Sequence, residues 1–537
     1  MAKFLYGAAV QGIQNFIFQT DKLQEIVGAS ELVEQICTIK FAELLYPEIA
    51  VEKYFKKRCD ALKQALNADE NAIINAAGNI KYVFADKTKC EEVVRIFPKI
   101  ISKFAPGITL SQAVIKLEDN EDFANKVDEL EEALKAQRNR PMRSATLGLM
   151  AIERSRQTGL PAVEIVKDEH RDAETKAKYG VSKEARKELC VKAFGVEIRD
   201  REFPYDIEDI TDKNSWIAII HADGNGLGQI VQRVGKNKKK FREFSQNLDK
   251  ATTNATQRAF GEVLPQISKC SVLPIRPIVL GGDDLTIICR GDIALPFAKT
   301  FLNYFEVETA TGLREQIKDA FDSKETGGLT ACAGIAYIKA SFPFSFGYEL
   351  AEQLCSAAKK DAKYSEEIKK GERLPQSCLM FHKVQDSFVE EYKQIAEREL
   401  QPKENISFQF GPYYLEPQTR SDAYNEKVER ISIDDLIRNT KKLDSKEGNA
   451  VKSHLRQWMT LMHYDPEKAK PHLDRLLSNL KSQNKSLFDV VNGLTKPRKE
   501  KRKINGEEKE IDYYPIYDIL AIHTINTQTT KKEDKED

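Results

Sequence analysis

The stretch Ile278-Val279-Leu280-Gly281-Gly282-Asp283-Asp284-Leu285-Thr286-Ile287-Ile288-Cys289 decides how this chain reads. Two apolar, β-branched runs flank a Gly-Gly-Asp-Asp tip, a pattern that predicts a β-hairpin with adjacent carboxylates at its turn. Glycine accepts positive φ without steric cost, and the missing side chains of Gly281 and Gly282 leave room for a phosphate. Asp283 and Asp284 at such a tip make half of a site for hard divalent cations, which prefer oxygen ligands. By itself the tip is also an ordinary turn sequence, because Gly and Asp are common turn residues.

A second acidic element sharpens the reading. Ser215-Trp216-Ile217-Ala218-Ile219-Ile220-His221-Ala222-Asp223 reads as a buried strand ending in a carboxylate, and Gly224-Asn225-Gly226-Leu227-Gly228 as a Gly-rich turn before a polar, potentially helical stretch. The strand lifts Asp223 to the sheet edge, while Gly224, Asn225, Gly226 and Gly228 let backbone N–H groups approach an anion. A calcium loop of EF-hand type would need an oxygen ligand at Leu227 and an acid at Val234, and has neither. No Gly-x-x-x-x-Gly-Lys-Ser/Thr segment occurs, which excludes a P-loop. Strand-end Asp223 and the hairpin about sixty residues later together make the acidic centre of a nucleotidyltransferase palm.

Gly328 to Ile338 reads as another buried strand, and a helix is predicted from Tyr348 to about Lys369. Leu350, Ala351, Leu354, Cys355, Ala358 and Ala362 fall on one stripe at helical periodicity, with Lys359 and Lys363 one turn apart beside it. With "LTACAGIAYIKA" and "LAEQLCSAAKKDAK" after the strand Asp and the hairpin, the chain resembles the second palm domain of the large polymerase subunit of type III CRISPR effector complexes, a relative of GGDEF-type cyclases. Its start, "YGAAVQGIQNFIFQTDKLQEIVGASELVEQI", resembles the opening of the same family. The resemblance covers residues 1–118 and 205–385, and the C-terminal third only in size and helical character.

The resemblance implies an α+β/α chain with two ferredoxin-like (GGDEF/cyclase-type) palm domains, a helical, charged insert between them and a helical C-terminal domain. The expected boundaries are 1–118 for the first palm, 119–205 for the insert, 206–385 for the catalytic palm and 386–537 for the C-terminal domain with a frayed tail at Thr529–Asp537. It further implies an RNA-activated nucleotidyltransferase that makes an adenylate second messenger from ATP, either a cyclic oligoadenylate or an AMP–S-adenosylmethionine conjugate. Two Mg²⁺ or Mn²⁺ ions would be held by Asp223, Asp283 and Asp284, and phosphates by the Gly224–Gly228 turn and by Lys359 or Lys363. The partners implied are the other effector subunits with guide and target RNA. Three neighbouring carboxylates repel one another without cations, which favours metal chemistry over a metal-free acid/base pair.

An internal repeat is consistent with two palms. Setting Gln11 on Asp223 aligns Gly7–Gly12 with the catalytic strand. Ala76–Phe84 aligns with Gly281–Cys289, placing Gly78 and Asn79 where Asp283 and Asp284 stand, and Gly107-Ile108-Thr109 aligns with Gly328-Leu329-Thr330. The first copy keeps the strands and turns but replaces every acid, so it reads as a palm that cannot hold catalytic metal.

The bulk properties fit a large cytoplasmic subunit. The chain has 537 residues, 41% of them hydrophobic, enough for several cores. Lys+Arg and Asp+Glu are both 83, so any contact with a polyanion must be local. No signal peptide is read at Met1-Ala2-Lys3 and no apolar run has membrane-spanning length, so no membrane is expected. The nine cysteines are scattered through apolar segments and read as reduced core residues.

Two features of many relatives are missing. There is no C-x-x-C; the matching region, Ser155–Val163, carries no thiol, so no zinc is expected. None of the seven histidines precedes an Asp, so no HD-type nuclease is expected. Lys236, Lys238, Lys239 and Lys240 read as a solvated face or a triphosphate or RNA contact. Lys496–Lys503 reads as a basic loop, Trp458, Leu461 and Leu476–Leu477 as anchors of a small bundle, and His221 as a strand residue covering a sheet edge. Three other readings use the same residues, and one of them, a template-directed polymerase, would need recognisable fingers and thumb segments, which are not found. A free-standing diguanylate cyclase would carry Glu-Phe where Asp284-Leu285 stand, and a non-enzymatic scaffold subunit would not need the acids at all.

Overall fold

The computed structural model describes residues 3–76, 78–118, 123–139, 151–166, 168–199, 202–211, 216–234, 237–268, 270–321, 327–386, 390–421, 427–443, 446–504 and 507–530. The described residues form a mixed α/β protein built on two principal sheets.

The first sheet comprises β1 (Lys3–Gln11), β2 (Ala72–Ala76), β3 (Asn79–Phe84) and β4 (Thr109–Leu117), in the order β2-β3-β1-β4. Between β1 and β2 lie α1 (Ile13–Phe18) and α2 (Leu23–Gln35), and α3 (Lys87–Phe104) joins β3 to β4. The middle of β1 is a run of small and apolar residues buried on both faces, as the central strand of a covered sheet requires. The next segment holds α4 (Phe123–Arg138), a hairpin of β5 (Ala162–Val166) and β6 (Glu169–Asp172), and α5 (Ala173–Phe194), which packs along α2.

The second sheet contains β7 (Trp216–Gly224), β8 (Ile275–Gly281), β9 (Asp284–Arg290), β10 (Ala331–Lys339) and β11 (Cys378–Lys383). Its order runs β13-β11-β10-β7-β9-β8, with β13 being Tyr413–Tyr414. The helices α6 (Leu227–Val234) and α7 (Lys238–Ile267) follow β7, α8 (Gly291–Gly312) follows β9, and α9 (Phe344–Ala362) follows β10. Strands β8-β9-β7-β10 repeat the order and antiparallel sense of β2-β3-β1-β4, and both sets have the split βαββαβ connection.

The ladders correct the repeat alignment. Gly281 pairs with Asp284 and Ala76 with Asn79, so Asn79 does stand at the place of Asp284. However, Ala8 pairs with Ile80 as Ala222 pairs with Leu285, and Ala9 pairs with Ser111 as Asp223 pairs with Cys332. Ala9, rather than Gln11, is therefore the counterpart of Asp223. Gln11, opposite Thr109, corresponds to Asn225, whose backbone N–H donates to the Thr330 carbonyl at 2.7 Å. A shift of two residues keeps every side chain on its own face, so the hydrophobic pattern could not detect it.

Three further expectations change. The helix after β10 starts at Phe344 and stops at Ala362; Lys363 leaves helical geometry and a separate turn, Glu366–Lys369, begins behind the Ser365 cap. Lys496–Lys503 is no loop, because β16 (Arg498–Ile504) pairs along its length with β17 (Glu507–Tyr513), and β12 (Ile406–Ser407) joins them, while β14 (Gln418–Ser421) and β15 (Lys427–Arg430) form a separate hairpin. The C-terminal part thus adds a three-stranded sheet to its helices, among them α10 (Lys446–Tyr464) and α11 (Ile516–Thr530). Trp458 is buried within it, and Leu461 and Leu477 pack against the core. Of the tail, residues 531–537 lie outside the described residues, as does Lys236. All nine cysteines are free, eight of them buried. No helix among the described residues is long and apolar enough to cross a membrane.

Candidate metal and nucleotide site

Asp223 lies at the penultimate position of β7, a strand whose preceding residues are almost wholly buried and leave it no freedom to wander. The hairpin β8–β9 brings Asp283 and Asp284 beside it. The loop has two residues, and the first, Gly282, sits at φ 62°, which a side chain would resist. Thr252 on α7 pins the tip by donating its hydroxyl to the Gly282 carbonyl at 2.6 Å, and Lys192 on α5 donates to the Leu280 carbonyl at 3.2 Å. Gly224 permits the closest approach: a Cβ there would stand 3.0 Å from the Cβ of Asp283 and 3.2 Å from its Oδ2.

As a result, one carboxylate oxygen from each of Asp223, Asp283 and Asp284 lies within 4.8 Å of the others. Crowding leaves a clear electrostatic mark. Loss of hydration, then the charges of Asp284 and Asp223, push the Asp283 carboxyl well above the usual carboxylate range. Asp284 is raised as well, by loss of hydration and by Asp223, with Lys359 pulling the other way. An excess of hard oxygen ligands that resists holding its full negative charge is a donor set fitted to a divalent cation.

The other expected site residues separate into two groups. Lys359, on the solvent side of the α9 stripe, donates its ammonium to Asp223 Oδ2 and, at 2.9 Å, to the Gly224 carbonyl. Burial works against its charge, but the Asp223 carboxylate outweighs burial and raises its pKa. Gly281 is the cross-strand partner of Asp284, and Gly282 forms the tip. The rest lie off the cluster. Asn225 is buried and turns inward, its amide reaching Thr330 Oγ1 at 3.1 Å and Cys332 Sγ at 3.4 Å. Gly226 is wedged against Leu374, Gly228 is exposed in the first turn of α6, and Lys363 is exposed beyond the end of α9.

His221 does not cover an edge. It is buried in the central strand, its Nδ1 is 3.3 Å from Thr286 Oγ1, and the Tyr348 ring meets it edge-on.

Sequence reading missed the residues through which the first unit reaches the site. Gln14 on α1 donates to Tyr348 Oη at 3.2 Å and to Glu352 Oε1 at 3.0 Å, both on α9. Phe18 stacks on Tyr348 with ring centroids 3.6 Å apart. More than three hundred residues separate these partners, and no local pattern announces them. Beside this junction a cavity of about 1000 Å³ opens between the two sheets; Gly281 and Asp284 form one wall and Gln11, Asn15 and Asn79 another. Its size suits a ligand as large as a nucleoside triphosphate.

Residues 216–366 match the family model for the second palm domain of Cas10/Cmr2. No curated protein matches the chain. Among solved structures, the fold is similar to a Csm1–Csm4 cassette in complex with pppApA, with a TM-score of 0.50 and 13% identity over 98% of this chain and 69% of that one. A cassette in complex with cA4 aligns with a TM-score of 0.47 and 13% identity over 87% of this chain and 63% of that one. A cassette in complex with cA3 gives a TM-score of 0.42 and 13% identity, covering 67% of this chain and only about half, 53%, of the other. At 13% identity the likeness to the pppApA cassette speaks for the fold alone, and the match to the palm domain is confined to residues 216–366. Residues 216–366, with the acidic cluster at their centre, form a second palm domain of the Cas10/Cmr2 family.

Proposed function

We propose that this chain is the nucleotidyltransferase subunit of a type III CRISPR effector complex and that it converts ATP to an adenylate second messenger. The observation that carries the proposal is the convergence of Asp223, Asp283 and Asp284, of which Asp284 lines the cavity between the sheets. The fold-similar cassette crystallised with pppApA, a linear adenylate, makes ATP the nucleotide to test first.

Asp223, Asp283 and Asp284 would hold Mg²⁺ or Mn²⁺. Such ions, when bound, lower the pKa of an attacking hydroxyl and stabilise the leaving pyrophosphate. The chain's own groups orient the reactants. Gly281 and Gly282 keep the hairpin tip bare so that phosphate oxygens can approach the carboxylates. Lys359, within reach of Asp223, would turn its ammonium to the phosphates of a bound nucleotide. Gln14, Phe18 and Tyr348 fix the first unit against α9 and so set the width of the cleft.

The first unit is a palm without metal ligands: Ala9, Gly78 and Asn79 occupy the places of the three acids. It serves as the second wall for nucleotide and as a surface through which partner subunits and target RNA act. Mass spectrometry of the products formed from ATP, with and without S-adenosylmethionine, tests the proposal. It separates a cyclic oligoadenylate from a conjugate and both from no reaction.

A further inference from the structure

At the end of the second sheet remote from the acidic cluster, two ammonium groups lie against one indole and a guanidinium acts on one of them. Trp216 opens β7 and pairs directly with Lys339, the last residue of β10. Lys383 closes β11 opposite Tyr337, two residues before Lys339. Because side chains alternate along a strand, Trp216, Lys339 and Lys383 share one face of the sheet. The Lys339 ammonium lies 3.9 Å and the Lys383 ammonium 5.0 Å from the centroid of the Trp216 ring. From α10, the exposed Arg456 reaches the same region, donating to Thr524 Oγ1 on α11 at 3.1 Å. Asp223 stands seven residues along β7, about 23 Å at ~3.3 Å per residue, so this cluster is separate from the acidic site.

Like charges gather at a cost unless an opposite charge joins them. Burial, then the charges of Arg456 and Lys339, depress the Lys383 ammonium to about 8. Burial depresses Lys339 as well. The acid nearest in effect, Glu399, is already engaged by Arg398 at 2.9 Å. Apart from the indole, the Lys383 side chain has no hydrogen bond or ion pair among the described residues. Behind Arg456, the buried Lys452 adds a further cation, its ammonium set against His523, which burial and the charges of Lys452 and Arg456 keep neutral.

We propose that Lys339, Lys383 and Arg456, around Trp216, form an anion site for phosphate, carried by the backbone of single-stranded RNA or by a free polyphosphate. Two point-charge ammonium groups and one planar guanidinium fork match the oxygens of a phosphate, and the indole lies against both ammonium groups. A binding phosphate draws them off the ring.

The test uses the full chain with Asp283→Asn and Asp284→Asn in EDTA, so that metal-dependent nucleotide binding at the acidic site is absent. The chain has two tryptophans, and Trp458→Phe leaves Trp216 as the sole indole reporter. Anisotropy of a labelled single-stranded RNA, with the unaltered Trp458, provides a second reading that does not depend on that change. RNA or tripolyphosphate is expected to shift the Trp216 emission. Lys383→Gln with Arg456→Gln is expected to weaken binding at least about tenfold and to reduce the salt slope by about two. Binding of RNA alone assigns the site to a nucleic-acid backbone; binding of both ligands assigns it to polyphosphate in general. Failure of both ligands to bind, or equal affinity and salt slope in the double variant, overturns the proposal.

Discussion

The ammonium of Lys359 on α9 is ion-paired with the Asp223 carboxylate at the end of β7, and it also donates to the Gly224 carbonyl at 2.9 Å. A lysine thus balances one carboxylate of the cluster, while Asp283 and Asp284 remain crowded. The pair has a direct consequence for metal binding, because the ammonium and a cation compete for the same oxygen. Lys359→Gln should therefore bind Mn²⁺ a few-fold more tightly in the absence of nucleotide, and Asp223→Ala more weakly, in an electron paramagnetic resonance titration. The same lysine change should lower kcat with ATP by about 10- to 100-fold, the scale of one lost charge-assisted contact to a phosphate. Weaker Mn²⁺ binding by Lys359→Gln would show that the lysine supports the ligands instead of competing for them.

The hairpin acids sit at a turn, with no core packing behind them. Replacing Asp283 and Asp284 by Ala should cut turnover below about one per cent of wild type, since metal-borne stabilisation of this kind supplies several kcal/mol. The melting temperature should hold or rise, because a like-charge cluster is removed. Activity and calorimetry on the same preparation check both halves of this expectation.

The first unit should tolerate loss of its polar groups. Gln11→Ala and Asn79→Ala are expected to reduce turnover several-fold, mainly through KM for ATP, because both side chains face the cavity without belonging to the acid cluster. If either abolished chemistry as fully as Asp283→Ala, the unit would be catalytic in its own right.

A pH dependence of stability comes from the C-terminal part. Asp518 is buried and accepts the Tyr413 hydroxyl at 2.7 Å, and burial pushes its carboxyl up to about 7. A group with a raised folded pKa binds its proton more tightly when folded. Its stabilisation is complete below the unfolded value near 3.8 and is lost as pH rises through about 7. Asp518→Asn keeps the shape without the ionisation. Its melting temperature should therefore gain on wild type between pH 5 and 8, at roughly 2–4 °C per kcal/mol. A constant difference across that range would mean that Asp518 stays ionised when buried.

What could be read from the sequence follows from how local each signal is. The hairpin, the strand ending in Asp223 and the buried stripe of α9 lie within single elements, so alternation and helical spacing announced them. Chain-distant contacts such as Gln14–Tyr348 and Phe18–Tyr348 leave no such trace. Strands β16 and β17 were hidden for another reason. They are held by opposite charges across the ladder, Lys499–Glu510 at 2.6 Å and Lys501–Glu508 at 3.5 Å, and by the buried Arg430, which bridges Glu500 at 3.2 Å to Asp361 at 3.3 Å. A strand without apolar alternation reads as a charged loop. Asp361 lies two residues after Lys359 on α9, so this charged network also ties the C-terminal sheet to the helix that serves the acidic cluster.

The central claim is that the acidic palm turns ATP into an adenylate messenger under the control of a bound RNA. The most direct measurement is product mass spectrometry on the effector complex incubated with ATP and Mg²⁺ or Mn²⁺, before and after addition of target RNA. The account predicts an oligoadenylate or an adenylyl conjugate that accumulates only once target RNA is present and is absent from the Asp283→Ala, Asp284→Ala complex. No adenylate product in any condition, or the same product from the double variant, would contradict it.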